Sequence, residues 1–368
     1  MSKKLCLVLC VILTASMLLT ACAPAAPTAA ALQPTTAPAA AASEAGAAAP
    51  LPNGASIKVG LVTDTSGVND QAFNQLAWEG VQKATTDMGF QAKFLESRQP
   101  SDYEKNIDAL AAEGYNVIIT IGALMGDATA LKARQYPEIK FAILDNDYAD
   151  GGPANVTSLM FAVDQVGFLA GVLAGGMSRS GFVCSVSSLR TPASDRSVKS
   201  FHAGAVWQAG SELKIMNNYI NIKTTDENVP TSDDSTQGKE TALRLIGQGC
   251  DVVFGVGGQA VNGALLAAGE NNLPAIGADL DQYNTAPELQ SALITSAMKN
   301  VDVAVYNYLK TVADGSVKAG INIASLQNGG VGLAPFHDWD SRIPADLKAR
   351  IREASDGIQD GSIKIDLP

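Results

Sequence analysis

The sequence predicts an α/β protein with two doubly wound, Rossmann-like lobes joined by a hinge. From residue 57 onward, apolar and β-rich runs alternate with segments of helical periodicity. The β-rich runs are apolar throughout, which is typical of parallel strands covered by helices on both faces of a sheet. The same succession of strands and helices then occurs a second time, so two lobes are expected rather than one.

The first lobe begins with the strand at residues 57–62 and continues with a helix whose apolar residues recur at spacings of three and four. Ser101 and Glu104 form a capping box that predicts the start of a second helix, and Gly114 marks its end. Strands are predicted at 57–62, 91–95, 117–121 and 141–144, and helices at 70–88 and 127–133.

The second half repeats this order and predicts a cleft between the lobes. Strands are predicted at 182–186, 215–220, 252–256 and 275–278, and helices near 194–209, 236–248 and 261–270. Ligands of doubly wound sheets bind beyond the carboxyl ends of the strands. Two such sheets facing each other give the architecture of a type I periplasmic binding protein, with a cleft that a hinge closes.

The domain organisation follows from this fold. The chain is expected to pass between the lobes near Ala162–Gln165, Leu289–Thr295 and Gly330–Phe336. The predicted two-lobed module covers 57–335, with lobe 1 at about 57–162 plus 295–330, lobe 2 at about 165–290 plus 336–368, and residues 336–368 as a C-terminal helical tail on lobe 2.

The N-terminus predicts export and a lipid anchor. Lys3 and Lys4 precede the apolar run Leu5 to Leu19, which is shorter than a bilayer-spanning helix and has the length of a signal-peptide core. Residues 1–21 are therefore predicted to be a signal peptide. The run ends in Leu-Thr-Ala-Cys, which resembles a bacterial lipobox, and Cys22 is the predicted lipidation site. The alternative is a simple secretory signal with a coincidental cysteine.

Residues 22–56 are expected to be a disordered tether between the lipidated cysteine and the module. The segment is mostly Ala, Pro, Thr and Ser, and Glu44 is the only charged residue between Ala23 and Leu51. Too few bulky side chains occur here to offset the entropy of ordering the chain. A tether of this kind lets a folded module reach a partner while staying at the membrane surface.

Composition restricts the partners of the module. The formal net charge is −11, and it becomes −13 once the signal peptide with Lys3 and Lys4 is removed. A surface this acidic argues against binding to nucleic acid or to anionic lipid, so membrane contact is expected through the lipid anchor only. We expect a monomer without a cofactor. Cys184 and Cys250 lie in or beside apolar runs and are predicted to be buried free thiols, with a disulfide as the alternative.

Several segments carry a resemblance to a known family. They are Val59 to Asp64, Asn69 to Gln75, Ala77 to Gly80, Phe141 to Asp145, Gly238 to Glu240, Asp251 to Phe254, Asp279 to Gln282 and Thr295 to Asp302. Together they resemble the basic membrane protein family of lipoproteins, whose best-understood branch binds purine nucleosides. The resemblance spans about residues 57–335. It implies an extracytoplasmic substrate-binding protein that delivers a nucleoside-like molecule to the permease subunits of an ABC importer.

The resemblance also implies a set of ligand-binding residues in lobe 1. Asp64 ends the first strand, where a carboxylate lies at the cleft edge or caps the next turn. Phe73 corresponds to the family's phenylalanine that stacks on the base, although an aromatic in the first turn of a helix could also belong to the core. Asn74 offers a donor and an acceptor to the edge of a base. Asp127 is a further candidate, or only a favourable charge at a helix N-terminus.

In lobe 2 the resemblance implies that Asp279 and Lys299 hydrogen-bond the ribose hydroxyls, while an ion pair between them is the structural alternative. Gly258 corresponds to a family glycine that lets the backbone approach the sugar. The sequence departs from the family at Ser232, where purine-binding members carry a second stacking phenylalanine. Either another aromatic such as Phe201 or Trp207 supplies that face, or the ligand is not a purine nucleoside.

Two other functions are compatible with parts of the sequence. Residues 255–260 read Gly-Val-Gly-Gly-Gln-Ala after a strand, with Asp279 about twenty residues later, which is formally a dinucleotide fingerprint of an oxidoreductase. The position of this motif late in the strand order, and the scarcity of NAD outside the cytoplasm, argue against an enzyme. An exported ligand sensor without a transporter is the other alternative.

Overall fold

The computed structural model describes residues 56–70, 73–148, 151–188, 190–220 and 235–368. Two six-stranded sheets with helices packed on them confirm the predicted two-lobed α/β fold. The predicted signal peptide, Cys22, nearly all of the tether and Ser232 lie outside the described residues. The first sheet contains Lys58–Val62 (β1), Gln91–Leu95 (β2), Val117–Ile121 (β3), Lys140–Leu144 (β4), Val156–Phe161 (β5) and Gly320–Ala324 (β11).

The second sheet has the same plan as the first. It contains Phe182–Ser187 (β6), Lys214–Tyr219 (β7), Val252–Val256 (β8), Ala275–Asp279 (β9), Leu293–Lys299 (β10) and Val331–Leu333 (β12). The helices are Phe73–Met88 (α1), Tyr103–Ala112 (α2), Gly126–Gln135 (α3), Val163–Met177 (α4), Pro192–Ala209 (α5), Ser235–Gly247 (α6), Asn262–Glu270 (α7), Gln282–Thr285 (α8), Val301–Ala313 (α9) and Ala345–Asp360 (α10). No helix in the described part of the chain is long and apolar enough to cross a membrane.

The strand orders determine where a ligand can bind. The first sheet has the order β11-β5-β4-β3-β1-β2 and the second the order β12-β10-β9-β8-β6-β7. The strands pair in parallel except β12, which is antiparallel to β10. In each sheet the order reverses direction next to the first strand of the lobe. That reversal opens a crevice at the carboxyl ends of the strands.

The central strands of each sheet are apolar because both of their faces are covered, whereas the edge strands β2, β7 and β11 are partly exposed. All five residues of β3 are buried, and its alternate residues point to opposite faces. Ile119 belongs to the buried cluster that contains residues of α1 and α9, whereas Ile118 belongs to a different cluster with residues of α2 and α3. Burying apolar surface on both faces supplies the main stabilisation of such a sheet, at about 25 cal/mol per Å².

The chain passes between the sheets at three places. After β5 it enters lobe 2 at Ala162, where α4 begins and packs on α5. It returns to lobe 1 at Asn300, because β10 belongs to the second sheet and α9 packs on α1. The second passage therefore follows β10 instead of falling at 289–295. Residues 325–330 lead from β11 back to β12, just before the position predicted for the third passage, and α10 then packs on α4.

Two local predictions are wrong. No side-chain cap holds the start of α2: a turn of 3₁₀ helix at Pro100–Asp102 leads directly into it, so Ser101 and Glu104 form no capping box. Cys184 and Cys250 are not free thiols but form a disulfide. Because β6 and β8 are neighbours in the second sheet, the two Cα atoms lie 6.0 Å apart, within the range that a disulfide spans.

Candidate functional site

A cavity of about 600 Å³ lies between the two lobes at the carboxyl ends of their strands. Both sheets contribute to its wall, as expected for two doubly wound units facing each other. The residues that follow or end six of the strands line it: Asp64 after β1, Gly122 after β3, Asp145 after β4, Ser188 after β6, Gly257 and Gly258 after β8, and Asp279 at the end of β9.

Asp64 is held in place by Asn74 from the first turn of α1. The Asn74 side chain donates to the Asp64 carboxylate at 2.8 Å and accepts from the Asp64 backbone N–H at 3.2 Å. The same amide also donates to Asp70 at 2.8 Å. Asn74 is completely buried and does not line the cavity, so its hydrogen bonds position Asp64.

Phe73 is an aromatic surface in the cavity wall. Its ring packs edge-on against Phe161, with the two ring centroids 6.2 Å apart. The Lys299 ammonium lies 4.8 Å from the centroid of Phe73, close enough for a cation–π contact. Among the described residues that line the cavity, Phe73 is the only aromatic. Phe73 therefore gives the described cavity lining its one aromatic surface.

Lys299, at the end of β10, connects the two lobes. Its ammonium donates to Asp145 of lobe 1 at 3.0 Å and lies 3.5 Å from Asp279 of lobe 2. Burial by itself lowers the pKa of Lys299, but the two carboxylates outweigh burial and the pKa is raised above its ordinary value. Lys299 therefore carries its positive charge throughout the physiological pH range.

Asp145 and Asp279 occupy equivalent positions in the two lobes. Each stands where the fourth strand of its lobe ends, and each has a left-handed backbone, with φ of 56° and 68° respectively. A non-glycine residue in this region is strained, and such strain is concentrated at functional sites. The left-handed turn aims both carboxylates into the cleft, where they meet the same ammonium.

Glycines let the backbone of lobe 2 approach the cavity. Gly257 and Gly258 have φ of 119° and 71°, which side-chain-bearing residues rarely adopt. A Cβ on Gly257 would collide with Ser188, whereas a Cβ on Gly258 would point into open space. The chain at Gly258 therefore presents bare backbone to whatever occupies the cleft.

Other residues singled out from the sequence lie away from the cavity. Asp127 is exposed in the first turn of α3 and does not line it. Phe201 is completely buried and stacks on Phe254 in the core, and Trp207 packs between Phe168 and Arg350. Neither aromatic supplies the second stacking face.

The structure adds residues that the sequence did not single out as site residues. Asp145, Asn146 and Asp147 follow β4 and line the cavity, and so do Thr191 and Ser194 at the start of α5. One signal could have found Asp145, because it ends an apolar strand in the first lobe as Asp279 does in the second. Asp279 and Lys299 also line an adjoining groove of about 750 Å³, whose other wall is Gln75 and Glu79 of α1.

Two facing doubly wound lobes, three chain passages and a cleft that combines one aromatic ring with charged groups on a largely apolar wall define a solute-binding protein. Comparisons with known proteins identify the family. Residues 57–361 match the family Bmp, described as PnrA-like substrate-binding proteins of ABC transporters, and the chain belongs to this family. The resemblance to the basic membrane proteins is thereby confirmed.

Individual relatives agree with this assignment. The chain is 31% identical to a CD4+ T-cell-stimulating antigen of Listeria monocytogenes, over 83% of this chain and 87% of that protein. It is 28% identical to the ABC transporter nucleoside-binding protein BmpA of Lactococcus lactis, over 84% of this chain and 89% of that protein. A solute-binding protein of an Aeropyrum pernix ABC transporter superposes with a TM-score of 0.69 and 25% identity, covering 85% of this chain and 94% of that one.

Proposed function

We propose that this protein is the extracytoplasmic receptor of an ABC importer and that it binds a nucleoside, a purine nucleoside in the first place, in the cleft between its lobes. The observation that carries the proposal is the arrangement of Phe73, Asp279 and Lys299 around one cavity. An aromatic face on one wall and hydrogen-bonding charged groups on the other match the two halves of a nucleoside.

Each half of the ligand has its own partners in this proposal. The base stacks on Phe73, a contact that contributes on the order of 1–3 kcal/mol. The ribose hydroxyls donate to Asp279 and accept from Lys299, and charge-assisted hydrogen bonds of this kind are about twice as strong as neutral ones. Gly258 lets the sugar lie against the backbone. The relative from Lactococcus lactis, a nucleoside-binding protein by name, supports the ligand class.

We propose further that Cys22 is lipidated and that residues 22–56 tether the module to the membrane surface. The thiol that ends the Leu-Thr-Ala-Cys segment would receive the lipid after cleavage of the signal peptide. Metabolic labelling with a fatty acid tests this step. Label in the unmodified protein and none in Cys22→Ser supports the anchor, and equal label in both contradicts it.

The ligand itself is tested on protein purified without ligand-stripping washes. Mass spectrometry of the small molecules released on denaturation should detect a nucleoside in stoichiometric amount. Calorimetric titration of stripped protein with adenosine, inosine and guanosine should then show saturable binding with a stoichiometry of about one, because Phe73, Asp279 and Lys299 line the same cavity and are proposed to bind one ligand together. If none of the three nucleosides binds and none is released, the proposed ligand class is wrong.

A further inference from the structure

The cleft has a pronounced excess of negative charge. Among the described residues, four carboxylates line the cavity, on Asp64, Asp145, Asp147 and Asp279. Lys299 is the only lysine or arginine in the same lining. Since like charges repel strongly when they are brought together in a partly desolvated site, such a wall disfavours an anionic ligand.

The one cation of the lining already has partners on both sides. The Lys299 side chain is only 13% exposed, and its ammonium lies 3.0 Å from Asp145 and 3.5 Å from Asp279. The pair with Asp145 joins residues 154 positions apart and crosses from one lobe to the other. A phosphate entering the cleft would have to take Lys299 from two carboxylates and would then face both of them.

The helix N-terminus in the cavity wall is also occupied. Helix N-termini bind anions through their free N–H groups. At the start of α5, however, Thr191 and Ser194 form a reciprocal capping box, and Pro192 has no N–H to donate. The Asp195 carboxylate in the same turn already pairs with Arg190 and Lys199, each at 3.1 Å. This end of α5 therefore has little capacity left for a phosphate.

We propose that Asp145 is a specificity-determining residue that sets the charge of the ligand: by holding Lys299 across the cleft, it restricts binding to nucleosides without a phosphate group. The inference rests on the proposed function and deepens it. Asp279 is assigned to the sugar hydroxyls, whereas Asp145 acts through Lys299 and keeps that ammonium from binding an anion.

The test compares adenosine with adenosine 5′-monophosphate, and inosine with its 5′-monophosphate, by calorimetric titration at one fixed ionic strength. In the unmodified protein the monophosphates should bind at least about 100-fold more weakly than the nucleosides. Asp145→Asn should lower this ratio about ten-fold or more, because Lys299 loses its shorter ion pair. Asparagine keeps the shape of the residue and tolerates the left-handed backbone, with φ of 56°, at this position.

Two variants separate the loss of the ion pair from the loss of a charge. Asp147→Asn removes one negative charge from the exposed part of the same wall. It should change the ratio much less, since the ammonium of Lys299 bonds Asp145. In a Lys299→Met background the ion pair with Asp145 is already absent. Asp145→Asn then removes only one negative charge, so it should change the ratio no more than Asp147→Asn does.

The results of these titrations separate a failure of the role proposed for Asp145 from a failure of the proposed nucleoside-binding function. Unmodified protein that binds nucleosides and monophosphates alike overturns the role of Asp145 and leaves the nucleoside receptor intact. Equal effects of Asp145→Asn and Asp147→Asn overturn it as well, in favour of simple charge repulsion. Unmodified protein that binds no nucleoside overturns the proposed function, and the inference with it.

Discussion

At the scale of single residues, one aromatic ring and a few charged side chains in the cleft would contact different parts of the proposed ligand. Phe73 presents a face without hydrogen-bonding groups, so its contribution is independent of the sugar. Asp279 presents a carboxylate that lies beside Lys299 at 3.5 Å, and it contributes only if the ligand carries hydroxyls within reach. Two substitutions can therefore tell the base from the ribose.

Asp279→Ala should weaken nucleoside binding far more than free-base binding, whereas Phe73→Ala should weaken both. Losing hydrogen bonds to a charged group costs about 1.5–3 kcal/mol, equivalent to a ten- to hundred-fold loss of affinity. The loss of affinity in Phe73→Ala should be large for a stacking residue, because no second aromatic lines the described part of the cavity. Titration of each of the two variants with adenosine, inosine, guanosine and their free bases measures these effects.

The matched comparison is the free base, which has the ring and lacks the ribose. If Asp279→Ala weakens bases and nucleosides equally, the carboxylate does not bind the sugar. If Phe73→Ala leaves base affinity unchanged, the ring is part of the core and does not stack on the ligand.

The sequence led to part of this site and missed the rest for physical reasons. Asp64, Phe73, Gly258, Asp279 and Lys299 line the cavity, since strand ends in this fold meet at one edge. Asn74 does not line the cavity, because its side-chain amide is buried and donates to Asp64 and Asp70. The hydrogen-bond partners of a buried amide cannot be predicted from a sequence.

At the scale of elements, the sequence predicted the strands β1 to β4 and β6 to β9 but missed the strands β5, β10, β11 and β12 and the helices α4, α8 and α9. The strands Gln91–Leu95, Val117–Ile121 and Val252–Val256 have the predicted bounds. By contrast, α4 went unpredicted because it is apolar on nearly every side. It is enclosed by α5, α10 and the second sheet, so it shows no polar face and no helical period. The strand β5 was missed because it buries Thr157 and Ser158 among its apolar residues.

The contact between α4 and α5 depends on glycines and gives a stability prediction. A Cβ on Gly204 of α5 would collide with the Phe168 carbonyl of α4. Gly204→Ala should therefore force the helices apart and lower the free energy of unfolding by about 1–3 kcal/mol, the usual cost of overpacking. Denaturant titration followed by circular dichroism measures the loss.

Gly247→Ala is the matched control for this prediction. Gly247 also lies in a helix, but a Cβ there would meet no atom within 4 Å and its backbone is not left-handed. Alanine favours helix over glycine, so this change should leave stability unchanged or raise it by up to about 1 kcal/mol. A Gly204→Ala protein as stable as Gly247→Ala would contradict close packing between α4 and α5.

At the scale of the whole molecule, the two sheets are joined by three chain passages, and one buried apolar cluster contains residues of both. The passages lie at Ala162, at Asn300 and at residues 325–330. More than one passage was expected from the architecture of a type I periplasmic binding protein. The positions of the passages depend on which sheet β10 and β12 join. The pairing of strands that are distant in the sequence leaves no local signal in it. The same lack of signal hid the disulfide between Cys184 and Cys250.

Short passages of this kind allow the lobes to rotate as rigid bodies about a hinge. In the cleft, the contact between Lys299 and Asp145 joins the lobes by one ion pair. A ligand that stacks on Phe73 in lobe 1 and bonds Asp279 in lobe 2 would add contacts available only when the lobes are close. It should therefore shift the population of lobe arrangements toward closure by the free energy of those contacts.

Small-angle X-ray scattering should show this closure as a smaller radius of gyration at saturating nucleoside. The two curves are recorded on the same chain, so the difference between them reports on the change that the ligand causes in the lobes. Asp279→Ala protein, titrated to the same fractional saturation, is the matched control. It should contract less, because the ligand then has lost its charged partner in lobe 2 while keeping Phe73 in lobe 1. An unchanged radius of gyration in the saturated, unmodified protein would mean that the lobes do not close on the ligand, and that the cleft binds in a fixed arrangement.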